Sequence, residues 1–291
     1  MTGWTPIAEE AERATRVLHP DEPFPKPKRR RVLTVANQKG GVGKTTSAVN
    51  LAAAMAMRGL KVLVVDLDPQ GNASTALGVE HRSGTPSVYE ALIGEVSLAD
   101  AAVVSDTSEN LYCVPATIDL AGAEIELVAM TAREARLKEA LTDEVLDSIR
   151  PDYVFIDCPP SLGLLTVNAM VAAEEVFIPI QCEYYALEGL SQLLNNIELV
   201  QNHLNQSLWV STILLTMYDG RTKLADQVTA EVRRHFGDTV LKTVIPRSVK
   251  VSEAPGFGQT VLTYDPGSRG AMCYLDAARE IAERGAKEDA S

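Results

Sequence analysis

Between Arg31 and Arg58 the chain sets down a short apolar strand, a glycine-rich turn and a helix in immediate succession, and few folds accommodate that order. Arg31 to Val35 (Arg-Val-Leu-Thr-Val) is the β-branched, apolar type of run that forms a buried strand. Ser47 to Arg58 is rich in Ala, Met and Leu and free of Gly and Pro, so it predicts a helix. The turn between them reads Lys39-Gly40-Gly41-Val42-Gly43-Lys44-Thr45-Thr46. Glycines at a strand-to-helix turn let backbone N–H groups close around phosphate oxygens, and the helix N-terminus adds a positive dipole. Lys44 supplies a point charge and Thr45 a hydroxyl for Mg²⁺, which together make a phosphate-binding loop.

The rest of the chain keeps alternating. Strands are expected at Lys61 to Asp66, Leu111 to Pro115, Tyr153 to Asp157, Glu175 to Ile180, Leu208 to Met217 and Val240 to Ile245. Short helices are expected at Ala73 to Leu77 and Ser87 to Ile93. Longer ones are expected at Leu137 to Ile149, Leu164 to Ala173, Leu187 to about Leu204, Leu224 to Phe236 and Ala271 to Arg284. Strand–helix units with short connections and no Ser/Gly linker predict one α/β domain over 31–285, a doubly wound, mostly parallel sheet flanked by helices. Residues 1–30 hold a short polar, helix-compatible piece (Ile7 to Leu18), then Pro20, Pro23, Pro25 and Pro27. The basic run Lys26 to Arg31 follows, and the whole stretch reads as a flexible tail. Its basic run could meet DNA or anionic lipid, or simply be solvated. Residues 286–291 read as a polar C-terminal tail.

No apolar run approaches the roughly 20 residues needed to span a bilayer. The N-terminus lacks an apolar signal core, so a cytoplasmic location is expected. Cys113, Cys158, Cys182 and Cys273 stand far apart with no Cys-x-x-Cys pair, which predicts reduced, buried thiols rather than a zinc or iron–sulfur site. A net charge of −12 argues against coating nucleic acid through overall charge. Residues 221–250 nevertheless carry seven Lys/Arg against three acids, a local +4 that leaves −16 elsewhere. Such asymmetry suits either a DNA-facing surface or an ordinary solvated face.

Three acids fall where strands end. Asp66 and Asp68 flank Leu67 after the second strand, and paired carboxylates there suit metal or water handling beside phosphates. Asp157 closes the apolar run Tyr153-Val-Phe-Ile-Asp157, the position from which a carboxylate holds Mg²⁺ through water.

The loop departs from the ordinary phosphate-binding spacing, because Gln38 stands where a glycine belongs and a second lysine, Lys39, opens it. This Lys-Gly-Gly-Val-Gly-Lys-Thr pattern resembles the deviant Walker A loop of the ParA/MinD family of ATPases. The similarity runs from about Arg31 to Arg284. In order, it takes in Asp68, Asp157 with Cys158 to Gly163, and Gln181-Cys-Glu-Tyr-Tyr-Ala-Leu-Glu-Gly189, the last closer to chromosomal ParA proteins than to MinD. The resemblance implies a P-loop NTPase fold and ATP hydrolysis with Mg²⁺. It also implies an ATP-sandwich homodimer in which Lys39 reaches the partner's nucleotide.

Carried over residue by residue, Lys39, Lys44 and Asp68 are catalytic, with Asp68 positioning the attacking water. Gly40, Gly41, Val42, Gly43, Thr45 and Thr46 hold phosphates, and Met217, Pro246 and Ser248 lie near adenine, although many relatives have Asn at the last position. Thr45 and Asp157 serve the metal, with Asp66 near its shell or holding the loop. Cys158 to Gly163 resembles the switch that senses the γ-phosphate. The Gln181 to Gly189 segment resembles a dimer-face or DNA-side element, and equally reads as a helix cap with aromatic packing. Arg221, Arg247, Lys250 and Arg269 match positions linked to DNA-backbone contact.

The function so implied is chromosome partition on the nucleoid. The ATP-bound dimer would hold double-stranded DNA nonspecifically, and a ParB-type centromere-binding partner would stimulate hydrolysis and release it. A MinD-like membrane-cycling ATPase is the first alternative, but Glu280 to Ser291 has neither a broad apolar face nor net positive charge. A P-loop ligase or small-molecule kinase is the second.

Overall fold

In the computed structural model, which describes residues 5–19, 22–183 and 186–288, eight strands form one sheet. They are β1 (Arg31–Val35), β2 (Val62–Asp66), β3 (Val103–Val104), β4 (Leu111–Val114), β5 (Tyr153–Asp157), β6 (Glu175–Gln181), β7 (Trp209–Tyr218) and β8 (Val240–Pro246). Their order is β3-β4-β2-β5-β1-β6-β7-β8, every pairing being parallel except the edge pair β3–β4.

Helices α1 (Pro6–Leu18), α2 (Lys44–Met57), α3 (Asn72–Ala76), α4 (Val88–Ile93), α5 (Leu98–Ala101), α6 (Leu120–Val128) and α7 (Arg136–Ala140) occupy the first half. The second half holds α8 (Leu164–Ala172), α9 (Ala186–His203), α10 (Lys223–Phe236), α11 (Val249–Glu253), α12 (Val261–Tyr264) and α13 (Arg269–Glu288).

Strand alternation divides the core between the two faces. Leu63, Val65, Val154 and Ile156 point into one apolar layer, while Val62, Val64, Tyr153 and Phe155 point into the other. The alanine run of α2 has a packing reason. Ala48 and Ala52 to Ala56 are all buried in the second layer, shared with α13, and small side chains let a helix sit flush against its neighbours. From β1 the chain crosses to β2 on one side, and from β5 it crosses to β6 on the other. The strand order therefore reverses at β1, and the crevice beyond the C-terminal ends of β1, β2 and β5 is where such sheets bind ligands.

Three expectations need correction. The first thirty residues do not form a free tail over their described part. Helix α1 packs on α12 and α13, where Arg13 Nε donates to the Gly267 carbonyl at 2.7 Å and Arg16 pairs with Asp276 at 3.2 Å. The basic run meets acids near the strand starts: Lys26 with Asp152 at 3.3 Å, Arg29 with Glu174 at 3.1 Å, Arg30 with Asp143 at 3.0 Å. Neighbouring charges that a linear reading cannot place hold the segment from Lys26 to Arg30 along the sheet's N-terminal edge.

The single helix expected over Leu137 to Ile149 is instead the short α7 followed by turns, with Arg150 at φ +48°. Thr142 and Asp143 interrupt it, and the Thr142 hydroxyl accepts from Val145 N at 3.4 Å in competition with helical pairing. Helices α5, α6, α11 and α12 and the two-residue β3 lay outside the sequence reading. The C-terminal helix continues through Glu288, so part of the expected tail is helical, and 289–291 lie outside the described residues.

Candidate active site

The glycine-rich turn joins β1 to α2 at the C-terminal edge of the sheet. Gly41 and Gly43 adopt φ +73° and +89°, left-handed values that a side chain would strain. Both ends of the turn are pinned: Asn37 Nδ2 donates to the Pro179 carbonyl at 2.8 Å, and the Thr216 hydroxyl donates to the Val42 carbonyl at 2.8 Å. The cradle's backbone is thus held from outside the loop, by β6 and β7. It opens into a cavity of about 880 Å³ walled by Gly40, Gly41, Gly43, Lys44, Thr45 and Thr46, with Asp68, Gln70 and Asn72 beside them and Pro160 and Met217 across.

Asp66 and Asp157 are register partners on adjacent strands, and both are fully buried. Asp66 is satisfied. One oxygen accepts from Ser74 N at 2.8 Å and Ser74 Oγ at 2.7 Å, and the other from Asp68 N at 3.3 Å. It therefore ties β2 to α3, which favours the loop-holding role over the metal shell. Burial raises its pKa to about 6 against these bonds, and the Asp68 charge adds to the rise. Asp157 differs, since neither carboxylate oxygen has a hydrogen-bond partner of good geometry. Burial pushes its pKa well above the ordinary range and Asp66 pushes it further, while the nearby Thr45 hydroxyl and Lys44 act in the other direction. Burial likewise lowers the Lys44 pKa, opposed by Asp157 and Asp68.

A buried acid with unused oxygens beside a hydroxyl and an ammonium fits a hydrated divalent cation. Among the described residues no cluster of three or more His, Cys, Asp or Glu could hold a metal alone, so phosphate oxygens would complete the shell.

Lys39 stands apart from Lys44. Its ammonium pairs with Glu183 at 3.2 Å, and it does not line the chain's own phosphate cavity. Glu183 also accepts from Gln181 Nε2 and lies 3.5 Å from Arg247. Tyr184 and Tyr185 lie outside the described residues.

Of the three residues expected near adenine, Met217 lines the cavity, at φ +51° in an irregular stretch of β7, whereas Pro246 and Ser248 do not. Ser248 instead precedes α11 as its N-cap residue. The wall there comes from Val251, Ser252, Pro255 and Gly256, which the sequence reading missed. Only the Pro-Gly turn signal after the last strand marked that place.

Arg221, Arg247 and Lys250 are all substantially exposed and each has an acid partner: Asp219 at 2.7 Å, Glu183 at 3.5 Å and Glu253 at 3.2 Å. Arg221 holds the Asp219 pKa down at about 2. Arg247 N donates to the Tyr218 carbonyl at 3.0 Å, which sets it next to the Asp219–Arg221 turn; Arg269 opens α13. The four cysteines are free thiols, three of them buried and Cys273 half-buried.

The strand order and the loop with its two acids define a P-loop ATPase, and a family model described as an AAA domain matches residues 30–210. The sporulation initiation inhibitor protein Soj of Bacillus subtilis (strain 168) is 55% identical over 255 residues, covering 88% of this chain and 99% of its own. The chromosome partitioning protein ParA of Caulobacter vibrioides (strain NA1000 / CB15N) is 52% identical over 255 residues, covering 87% and 94%. Among solved structures, a cobyrinic acid a,c-diamide synthase from Mycobacterium smegmatis with bound ATP analogue and magnesium aligns with a TM-score of 0.74. Its identity is 40%, and 90% of this chain and 96% of that one are covered. The cell division ATPase MinD of Pyrococcus furiosus aligns at 0.70 with 28% identity, covering 87% and 99%. The chain belongs to the ParA/Soj family of chromosome-partitioning ATPases within the wider ParA/MinD group.

Proposed function

We propose that this chain hydrolyses ATP as a Mg²⁺-dependent sandwich homodimer that carries chromosomal DNA during partition. The observation that carries the reading is the split between its two loop lysines. Lys44 lies inside the chain's own cradle, while Lys39 is held outside it by Glu183, free to exchange that partner for a phosphate of a facing subunit. Within one subunit, the loop backbone and Lys44 hold the phosphates, and Met217 with Val251 and Pro255 offers an apolar slot for the base. Asp68, on the cavity wall, orients the attacking water. A magnesium ion held by Thr45, and through water by Asp157, would neutralise charge on the phosphates.

Arg221, Arg247, Lys250 and Arg269 form the DNA-backbone contacts, reading charge rather than sequence, and the counterions such phosphate contacts release make binding steeply salt-dependent. A ParB-type partner stimulates turnover, and the protein works in the cytoplasm on the nucleoid. Steady-state hydrolysis should rise faster than linearly with enzyme concentration below the dimer dissociation constant. A specific activity independent of concentration would contradict the trans-acting lysine. Asp68→Ala should retain ATP binding and dimerisation while turnover falls roughly 100-fold. Arg221→Glu with Arg247→Glu should spare DNA-free hydrolysis and remove DNA retention at physiological salt, read by gel shift.

A second reading rests on the 40% identity to a protein named as a cobyrinic acid a,c-diamide synthase. Hydrolysis that requires cobyrinic acid, rather than responding to DNA and a ParB-type partner, would favour it.

A further inference from the structure

Helix α6 is apolar on two faces. Leu120, Ala123 and Leu127 are buried against α4 and α8 in the first core layer. On the other side Ile118, Ala121, Ile125 and Val128 repeat at helical spacing and face solvent, the three large residues being 63%, 79% and 58% exposed. A solvent-facing helix normally presents polar residues there, so a second apolar stripe signals a contact still to be made. Leu162, 40% exposed, extends the patch from the loop after β5. That loop runs against α6 at Gly163, which sits on the Glu124 carboxylate, and in the first turn of α8 just beyond it Leu165 N donates to Glu124 at 3.5 Å.

We infer that this stripe is the apolar centre of the contact with a second copy of the chain, an inference that rests on the sandwich dimer proposed above. Position is the first argument. Ile118 lies four residues past the end of β4 and Leu162 five past the end of β5. Both therefore emerge at the same C-terminal edge of the sheet as Lys39, the edge that must close against a facing subunit. Chemistry is the second. Across a twofold axis an apolar stripe meets its own copy, which satisfies it without any complementary partner surface. The nearby acids do not call for a basic ligand, because they are already engaged. Asp119 accepts from Ser83 Oγ at 2.9 Å, Glu126 from the Tyr89 hydroxyl at 3.0 Å, and Glu124 from Leu165 N in the first turn of α8 at 3.5 Å.

The placement also explains how nucleotide state reaches the interface. Pro160 lines the nucleotide cavity, the Thr166 hydroxyl donates to the Ser161 carbonyl at 2.7 Å, and Leu162 follows directly. Gly163 lies against Glu124 so closely that an added Cβ would collide with its carboxylate. A shift of this loop toward a γ-phosphate therefore moves Leu162 and α6 together.

The test uses the full chain with Mg²⁺ and a non-hydrolysable ATP analogue, with self-association followed by sedimentation equilibrium. Ile125→Asp should weaken dimerisation on the order of 100-fold, since the change acts twice across the axis. Ile125→Leu should restore it, and monomer affinity for the nucleotide should stay within about twofold in both. Thermal melts establish that the variants fold, and Val128→Asp provides an independent substitution on the same stripe. A wild-type dimer that Ile125→Asp and Val128→Asp leave intact would overturn the interface and spare the dimer. A strictly monomeric wild type would defeat the dimer reading itself. Intact dimerisation with loss of stimulation by a ParB-type protein would assign the stripe to that partner and overturn the self-contact.

Discussion

The two edges of the sheet handle buried charge in opposite ways. At the N-terminal edge Arg31 and Glu175 are each 7% exposed in their side chains and meet in a two-pronged pair, Nε to Oε1 at 2.7 Å and Nη2 to Oε2 at 2.5 Å. Burial alone would push the Arg31 pKa down, but Glu175 outweighs it and holds the guanidinium charged. Lys26, Arg29 and Arg30 continue the pairing outward. At the C-terminal edge Asp157 is equally buried yet has no such partner, and Asp66 sits beside it. A charge closed on its counter-ion stabilises one geometry, whereas a charge kept without one is a site for something the chain does not supply. The contrast assigns structure to one edge and chemistry to the other.

Breaking the satisfied edge should have the largest effect. Arg31→Ala leaves Glu175 buried without its fork and should cost about 3–5 kcal/mol of unfolding free energy in urea melts. A loss under 1 kcal/mol would mean that water already serves this pair. At the other edge Lys44→Ala should weaken ATP binding by roughly 100- to 1000-fold while leaving the melting temperature nearly unchanged, as calorimetry would show. Retained affinity would undo the loop assignment.

Asp157→Asn should stabilise the nucleotide-free protein by about 1–3 kcal/mol, because it removes an unpaired buried acid, while abolishing Mg²⁺-dependent turnover. The pH dependence follows from the same carboxylates. Asp66 titrates near 6 in the fold against about 3.9 unfolded, and Asp157 is shifted the same way. Between those values the folded state binds more protons, so the nucleotide-free protein loses stability as pH rises from about 4 through 6. Asp157→Asn should flatten that slope, and melts across the range would reveal it. The smallest effect is at Met217, whose φ of +51° is costly for a side chain; Met217→Gly should relieve about 1 kcal/mol of that strain. A net loss of stability there would show that its packing outweighs the backbone.

Local order was legible because it is written locally. The strand–glycine–helix succession from Arg31 to Arg58, the acids at strand ends, and most parallel strands follow from spacing and residue type alone. The loop's extra lysine fixed the family resemblance, and the relatives bear it out. What escaped depended on partners far along the chain. The basic run could not be placed without Asp152, Glu174 and Glu175, more than a hundred residues away. Nor could Val251 and Pro255 be assigned to the cavity without knowing where β8 releases the chain.

The sequence by itself determined the periodicities, the turn chemistry and the identity of the phosphate loop, since each depends on neighbours within a few positions. Tertiary structure alone decided which charges are answered. Arg31 meets Glu175, Lys39 turns out to Glu183, and Asp157 is left with open oxygens. Coulomb attraction and desolvation act through space, and only the folded chain sets those distances.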